Sequence, residues 1–499
     1  MSRGVTRREF VGAAAGLGAA AACAQPPKRP NLLFLFSDQQ RASAVSCYGG
    51  DPVNTPAIDQ LAAEGCRFDN AISINPVCSP FRGMLHSGLY SMRNGIVGND
   101  TPLSNGLPTF GKMFRNAGYK TGYIGKWHIE SHREGFVPPE RRQGFDDFWA
   151  VHSCNHDHFN SPYYRDDPET ELTHVGYEPV SQTSLAIEFM QKCANGSDPF
   201  CLVMSFGPPH DPYKAPDSNE ARFKPESDIP LPKNLNDRAI VDELLRTDNR
   251  PMTERISRGR ARGRARIEDD DRLRAEVLRG YFGACEALDE SVSRLTQALD
   301  ELGIADDTIV VYTSDHGDLA GSHRMISKQS PLEESIHVPF VLRYPRGVPS
   351  GVETAAMMTP VDILPTMLGL AGIDYDADSY DGVDRCSASF GSATDDREAV
   401  PLMKMVHGGM PWIMNGLRPW RGVRTNRHTY AELEGEPWLL FDNQEDPRQM
   451  ANLVRDTERV GLRGDLAKQM KQLMTDAGDT MTEDEIAAFR RQQVEQHGT

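Results

Sequence analysis

Paired cysteines are missing from this chain. Its nine cysteines stand at 23, 47, 66, 78, 154, 193, 201, 285 and 386, with no Cys-x-x-Cys pair and no framework spacing, which excludes a small scaffold stapled by disulfides. After the first two dozen residues there is also no apolar run long enough to cross a bilayer. Basic residues are in the minority: 54 Lys and Arg against 71 Asp and Glu give a formal net charge of -17, which argues against a general nucleic-acid binder. Internal repeats are absent. The remaining composition is that of a globular protein, 39% hydrophobic and 25% charged over 499 residues, a length that supports one main domain and a smaller one. An acidic surface leaves room for an anionic substrate, because a pocket that gathers Lys, Arg and a metal ion sets its own local field.

The N-terminus reads Thr6-Arg7-Arg8-Glu9-Phe10-Val11 and continues as a weakly apolar Ala/Gly run to Cys23. This is the layout of a twin-arginine export signal covering residues 1–24, with a periplasmic or secreted destination and the export machinery as a partner. Ala20-Ala21-Ala22-Cys23 also allows a lipoprotein reading, but Ala leads where such boxes usually carry Leu. Simple cleavage is therefore favoured, and anchoring at Cys23 is the alternative. A chain exported folded acquires its fold in a reducing cytoplasm.

Residues 31–36 are almost continuously apolar, the pattern of a parallel strand buried on both faces. Similar runs occupy 119–124, 200–206 and 308–312. Each is followed at once by polar residues of chemical interest: Asp38 after the first, Lys126 and His128 after the second, His210 after the third, Asp315 and His316 after the fourth. Open parallel sheets bind ligands beyond the C-terminal ends of their strands, so these residues are predicted to meet. Helical stripes fall between the strands, as in Ile58, Leu61 and Ala62 after Pro56, and in Val292, Leu295, Leu299 and Leu302. The predicted fold is α/β, with a large, mostly parallel central sheet flanked by helices over residues 29–400. Beyond residue 400, short strands at 420–425, 429–430 and 438–442 predict a smaller antiparallel sheet subdomain over 401–475, then a charged tail, 476–499. Residues 207–232, rich in Pro, Asp and Lys, read as a long surface excursion.

In Cys78-Ser79-Pro80-Phe81-Arg82, Pro80 favours the first turn of a helix, so Cys78 is predicted at a helix N-terminus, where the dipole favours an anion. A lone cysteine is ordinarily a buried thiol. Here, however, the string fits the Cys-x-Pro-x-Arg signature of the type I sulfatases, members of the alkaline phosphatase superfamily. Thr313-Ser314-Asp315-His316-Gly317-Asp318 matches that family closely too, and the chain resembles it over most of its length. The resemblance implies an alkaline-phosphatase-like fold and a Cys78 oxidised to formylglycine (3-oxoalanine) by a formylglycine-generating enzyme, before export. One hydroxyl of the hydrated aldehyde attacks sulfur and the second provides the exit. It further implies that Arg82 holds the diol, Lys126 grips the sulfate and His128 handles the diol proton. His210 and Lys328, in Pro208-Pro209-His210-Asp211-Pro212 and Ser327-Lys328-Gln329, serve the leaving group. Asp38, Gln39, Asp315 and His316, with residue 78, become the metal ligands, for Ca²⁺ first and Mg²⁺ or Mn²⁺ as substitutes. Gln39 stands where many relatives carry a second Asp, and His316 where some carry Asn, which leaves the metal open.

His152, Cys154, His156 and His158 lack the second ligand pair of a zinc site; His156 and His158 are candidates to meet substrate, and plain surface is the other reading. His407, Trp412, Trp420 and Arg421 could form a sugar platform with an anion contact, against core packing of the tryptophans. The basic run 258–266 reads as a solvated loop partly neutralised by Glu268 and three aspartates, or as a docking surface for a sulfated polymer. The function implied is an exported, metal-dependent sulfuric ester hydrolase acting on sulfated carbohydrates. The alternatives are a phosphonate monoester or phosphodiester hydrolase of the same superfamily, and a non-catalytic binder of sulfated glycans.

Overall fold

A computed structural model describes residues 29–130, 135–237, 269–391, 397–406 and 418–497. The export signal, Cys23, the basic run 258–266, His407 and Trp412 lie outside these residues. The strands in chain order are β1 (Asn31–Asp38), β2 (Cys66–Ala71), β3 (Lys120–Lys126), β4 (Phe148–His152), β5 (Phe159–Tyr163), β6 (Leu172–Tyr177), β7 (Phe200–Pro209), β8 (Thr308–Ser314), β9 (Phe340–Arg343) and β10 (Val352–Met358). Eight of them form one sheet in the order β10-β2-β9-β8-β1-β7-β3-β4, while β5 and β6 pair separately. β1 runs parallel to both β7 and β8, and β3 parallel to β7 and β4. β9 is antiparallel to its two neighbours.

All residues of β1, β7 and β8 are buried, as their unbroken apolar runs require. Alternate side chains divide between two cores. Leu32, Phe34 and Phe36 pack with Phe81 and Leu85 of α2 (Cys78–Ser87) on one face. Leu33 and Leu35 pack with residues of α1 (Pro56–Ala63), α3 (Glu178–Ala194) and α4 (Arg279–Glu301) on the other. Val292, Leu295 and Leu299 of α4 are fully buried there. Each contributes about 1.5–3 kcal/mol relative to exposure, so tertiary packing rather than propensity holds this helix.

The small sheet is an antiparallel meander of β11 (Ala399–Lys404), β12 (Trp420–Thr425), β13 (His428–Leu433) and β14 (Glu436–Asp442). One of its faces packs Leu402, Trp420 and Leu439 against Ile72, Met84 and Leu332 of the main domain. The other packs Met403, Val423 and Leu440 under Leu466, Met470 and Met474 of α5 (Val460–Asp476). A last helix, α6 (Glu483–His497), lies within the charged C-terminal stretch and buries Ile486 in that same core.

Candidate active site

The four central strands β8, β1, β7 and β3 end side by side, and their C-terminal ends deliver Asp315 and His316, Asp38, His210, and Lys126 with His128. The strand ends approach closely. Gly125 has φ +102°, and a Cβ there would lie 2.0 Å from Ser205 O, so only glycine fits before Lys126. His128 has φ +55°, in the left-handed region, and its N–H donates to Ser153 O at 2.6 Å. Cys78 opens α2 and is 1% exposed, which aims the first turn of that helix at the strand ends.

One set of metal-ligating groups converges among the described residues: Asp38, Cys78, Asp315 and His316, with donor atoms all within 4.8 Å of one another. Cys78 Sγ lies 3.3 Å from His316 Nε2 and 3.7 Å from Asp38 Oδ1. His316 Nδ1 is 3.2 Å from the Gly317 carbonyl and so carries the proton, which leaves the Nε2 lone pair facing inward. That nitrogen stands 3.4 Å from Asp315 Oδ1 and 3.6 Å from Asp38 Oδ1. Burial, helped by Lys328, outweighs the opposing pull of Asp315 and Asp38 and holds the His316 ring down to about 4, so it is neutral. Lone pairs facing one another in a dry site are unfavourable unless a cation lies among them, and oxygen donors with one imidazole suit a divalent ion. Burial, and then Asp38, push the Asp315 carboxyl up to about 6. Burial would also raise Asp38, but the nearby Lys126 ammonium holds it well below the usual carboxylate range.

Cations surround this set. Arg82 is fully buried and forks between both acids, with Nη2 at 3.2 Å from Asp38 Oδ2 and 3.3 Å from Asp315 Oδ2. Its Nη1 donates to Lys126 O and Ser205 Oγ, each at 2.6 Å, and its guanidinium lies 4.9 Å from the Phe36 ring centre. Lys126 Nζ is 2.6 Å from Asp38 Oδ2. His128 Nε2 is 3.5 Å from Asp100 Oδ1. Burial works against charge on the His128 ring, but the neighbouring Cys154 sulfur and Asp100 raise it to about 10. Burial and Asp38 push the Cys78 thiol up; Lys126, Lys328 and His128 more than offset them and bring it to about 7. A thiol in that position has the depressed pKa of a reactive group.

On the far side Lys328 Nζ donates to His210 Nε2 at 2.6 Å and to Gln39 Oε1. Gln39 Nε2 in turn donates to Asp318 Oδ2 at 2.5 Å, and the backbone N–H of Gln39 to Asp315 Oδ1 at 3.0 Å. The Gln39 side chain is thus engaged by Lys328 and Asp318, next to the four-residue set above. His156 stacks on His210 at 4.3 Å between ring centres, with Nε2 3.4 Å from Lys126 Nζ. A cavity of about 580 Å³ is lined by Asp211 and Ser327, the chain neighbours of His210 and Lys328, with Phe159, Tyr213 and Ile326 among others. Part of the stretch read as surface excursion therefore forms its wall.

Two substrate candidates are corrected by burial. His158 is 2% exposed, with both ring nitrogens engaged by protein oxygens, so it offers nothing to a sugar. Trp420 is 1% exposed and packs in the core, its Nε1 donating to Gln329 O at 2.9 Å beside Lys328. Arg421 forks onto Asp479. Sequence reasoning missed Asp318, which also accepts from Tyr213 Oη at 2.8 Å, as well as Ser205 and Glu178. Asp318 lay within the Asp-His-Gly-Asp string and could have been found there; Glu178 carried no local signal.

Comparison with known proteins follows the same lines. The sulfatase family pattern matches residues 30–373, and that of the N-sulphoglucosamine sulphohydrolase C-terminal region matches 321–476. An ulvan-active sulfatase of Formosa agariphila is 35% identical over 463 residues, covering 91% of this chain and 82% of its own. An N-acetylglucosamine-6-O-sulfatase of Bacteroides thetaiotaomicron is 29% identical, covering 91% and 87%. A solved enzyme in complex with its substrate D-glucosamine-2-N,6-O-disulfate superposes with a TM-score of 0.77 at 25% identity, over 92% of this chain and 100% of that one.

Proposed function

The chain belongs to the sulfatase family and is a sulfuric ester hydrolase. On that premise we propose that it removes sulfate from sulfated carbohydrates, using formylglycine made from Cys78 and a divalent cation at Asp38, Asp315, His316 and residue 78. Carbohydrate sulfates are favoured because the relatives at 35% and 29% identity are named for ulvan and N-acetylglucosamine 6-O-sulfate. The twin-arginine layout of residues 1–24 supports export, with the formylglycine-generating enzyme acting before it.

Formylglycine would supply a hydroxyl nucleophile, and the cation would acidify it and draw charge from a sulfate oxygen. The other roles fall to side chains of the chain itself. Arg82 neutralises the two acids beneath the nucleophile. Lys126, 2.6 Å from Asp38, presents an ammonium to the sulfate. His128 faces residue 78 and handles its proton. His210 has its proton on Nδ1, which is 2.7 Å from the Asp211 carbonyl, so its Nε2 accepts from Lys328. Lys328 is therefore the proton donor to the departing oxygen, and His210 aims it. The alcohol part of the ester lies in the adjoining cavity, against Phe159 and Tyr213.

The observation that carries this reading is the convergence of Asp38, Asp315 and His316 on Cys78 at a helix N-terminus, beneath Arg82 and Lys126. The test is sulfate release from defined sulfated saccharides compared with turnover of aryl phosphonates and phosphodiesters. Sulfate esters should be the better substrates; phosphonate turnover far above them would assign the phosphonate or phosphodiester class instead.

A further inference from the structure

His158 immediately precedes β5, and Glu178 immediately follows β6 as the first residue of α3. In the hairpin register Phe159 lies opposite Tyr177, so the two residues meet at its open end. Glu178 N–H donates to the His158 carbonyl at 2.9 Å. The side chains meet as well, with His158 Nδ1 3.1 Å from Glu178 Oε1, while Ser161 Oγ donates to Oε2 at 2.8 Å. The other ring nitrogen, Nε2, lies 2.7 Å from the carbonyl oxygen of His210.

Both nitrogens of this buried ring thus face oxygens that accept. A neutral imidazole has one N–H and one lone pair, so it satisfies one contact and turns a lone pair toward oxygen at the other. An imidazolium paired with an ionised Glu178 satisfies both. Burial pushes the His158 pKa down, but the Glu178 carboxylate and the His210 carbonyl outweigh it and raise it. The charged and titratable groups around the pair are Lys126 at the end of β3, which opposes the charge, His210, His152 at the end of β4, and His174 and Tyr177 on β6, the Tyr177 hydroxyl being held un-ionised by burial and by Glu178. Burial lowers both His152 and His174, the latter to about 4, so neither supplies a competing charge at neutral pH. The carboxylate lies directly over the strand that carries His210: a Cβ on Gly207 would be 2.3 Å from Glu178 Oε1 and 3.3 Å from His158 Nδ1.

We propose that His158 is a positioning residue: as an imidazolium held by Glu178 it grips the His210 carbonyl, and so fixes the ring that aims Lys328 at the departing oxygen. This rests on the leaving-group role given to Lys328 and His210 above. Loss of the His158 proton frees one of the two contacts, so turnover falls as pH rises through the His158 pKa.

The Glu178→Gln variant keeps an acceptor for Nδ1 but removes the charge that holds the proton. Its kcat profile on an alkyl or sugar sulfate should lose its alkaline side about one pH unit or more lower than in the unaltered enzyme, since each unit is tenfold in the protonated fraction. With 4-nitrophenyl sulfate, whose phenolate leaves with little help from an acid, the loss should be much smaller. An unmoved profile, or equal loss on both substrates, overturns the proposal. If the unaltered enzyme itself fails on both esters, it is the sulfatase reading that falls. Nitrogen NMR of the unaltered protein, with labelled histidine, gives a check independent of any variant. Both His158 ring nitrogens should carry protons at neutral pH, and a neutral tautomer there would overturn the assignment.

Discussion

His210 accepts a hydrogen bond from Lys328 rather than offering one: Nζ stands 2.6 Å from Nε2, while Nδ1 is committed to the Asp211 carbonyl at 2.7 Å. Lys328 is consequently the acid of the pair. Replacement of Lys328 by Ala should cut kcat on a sugar sulfate by about 10²–10⁴-fold, the usual contribution of a general acid, and far less on 4-nitrophenyl sulfate. Steady-state rates on the two esters decide it; an equal loss on both would move Lys328 from the leaving group to the sulfate.

Metal affinity should depend on pH through Asp315. Its carboxyl is pushed up to about 6 in the folded protein by burial and by Asp38, so a proton competes with the cation below that pH. Calorimetric titration with Ca²⁺ should find affinity weakening about tenfold per unit of acidification below that point and levelling above it. The linkage has a sign. A carboxyl with a raised folded pKa stabilises the metal-free fold at acid pH, and that contribution is lost as pH rises through about 6. The gain in Tm on adding Ca²⁺ should therefore be larger at neutral than at acid pH. Chelation should abolish turnover, and added cation should restore it.

Arg82 bridges Asp38 and Asp315 with no exposure to water. Arg82→Ala should destabilise by about 3–5 kcal/mol in metal-free protein, because it leaves buried charges without their partner. Urea unfolding measures this directly. Arg82→Lys keeps the charge but lacks the fork, and should lie between the two.

Trp420 braces Gln329, the residue after Lys328, through its indole N–H at 2.9 Å. Trp420→Phe should cost about 1 kcal/mol of stability and lower kcat while leaving KM for a sulfated saccharide unchanged. A sugar platform would show the opposite, a raised KM at constant kcat.

The legible part of the fold was its most buried part. β1, β7 and β8 are covered on both faces, and complete burial writes itself as an unbroken apolar run. β2, by contrast, alternates buried and half-buried residues through Arg67, Asp69 and Asn70, and β9 has only four residues, so neither gave such a run. In the site, residues that follow strand ends could be anticipated because strand direction alone gathers them. Glu178 could not: an acid in the first turn of a helix is an ordinary feature, and only the β5–β6 hairpin brings it to His158. Exposure was equally hidden, which is why His158 and Trp420 read as substrate candidates although both are buried.

Mass spectrometry of the peptide spanning residue 78, taken from protein whose sulfatase activity has been measured on the same sample, tests the nucleophile most directly. Cys78 should have lost its sulfur and gained a carbonyl, in a fraction that tracks specific activity. Fully active protein with the Cys78 thiol intact would contradict the account.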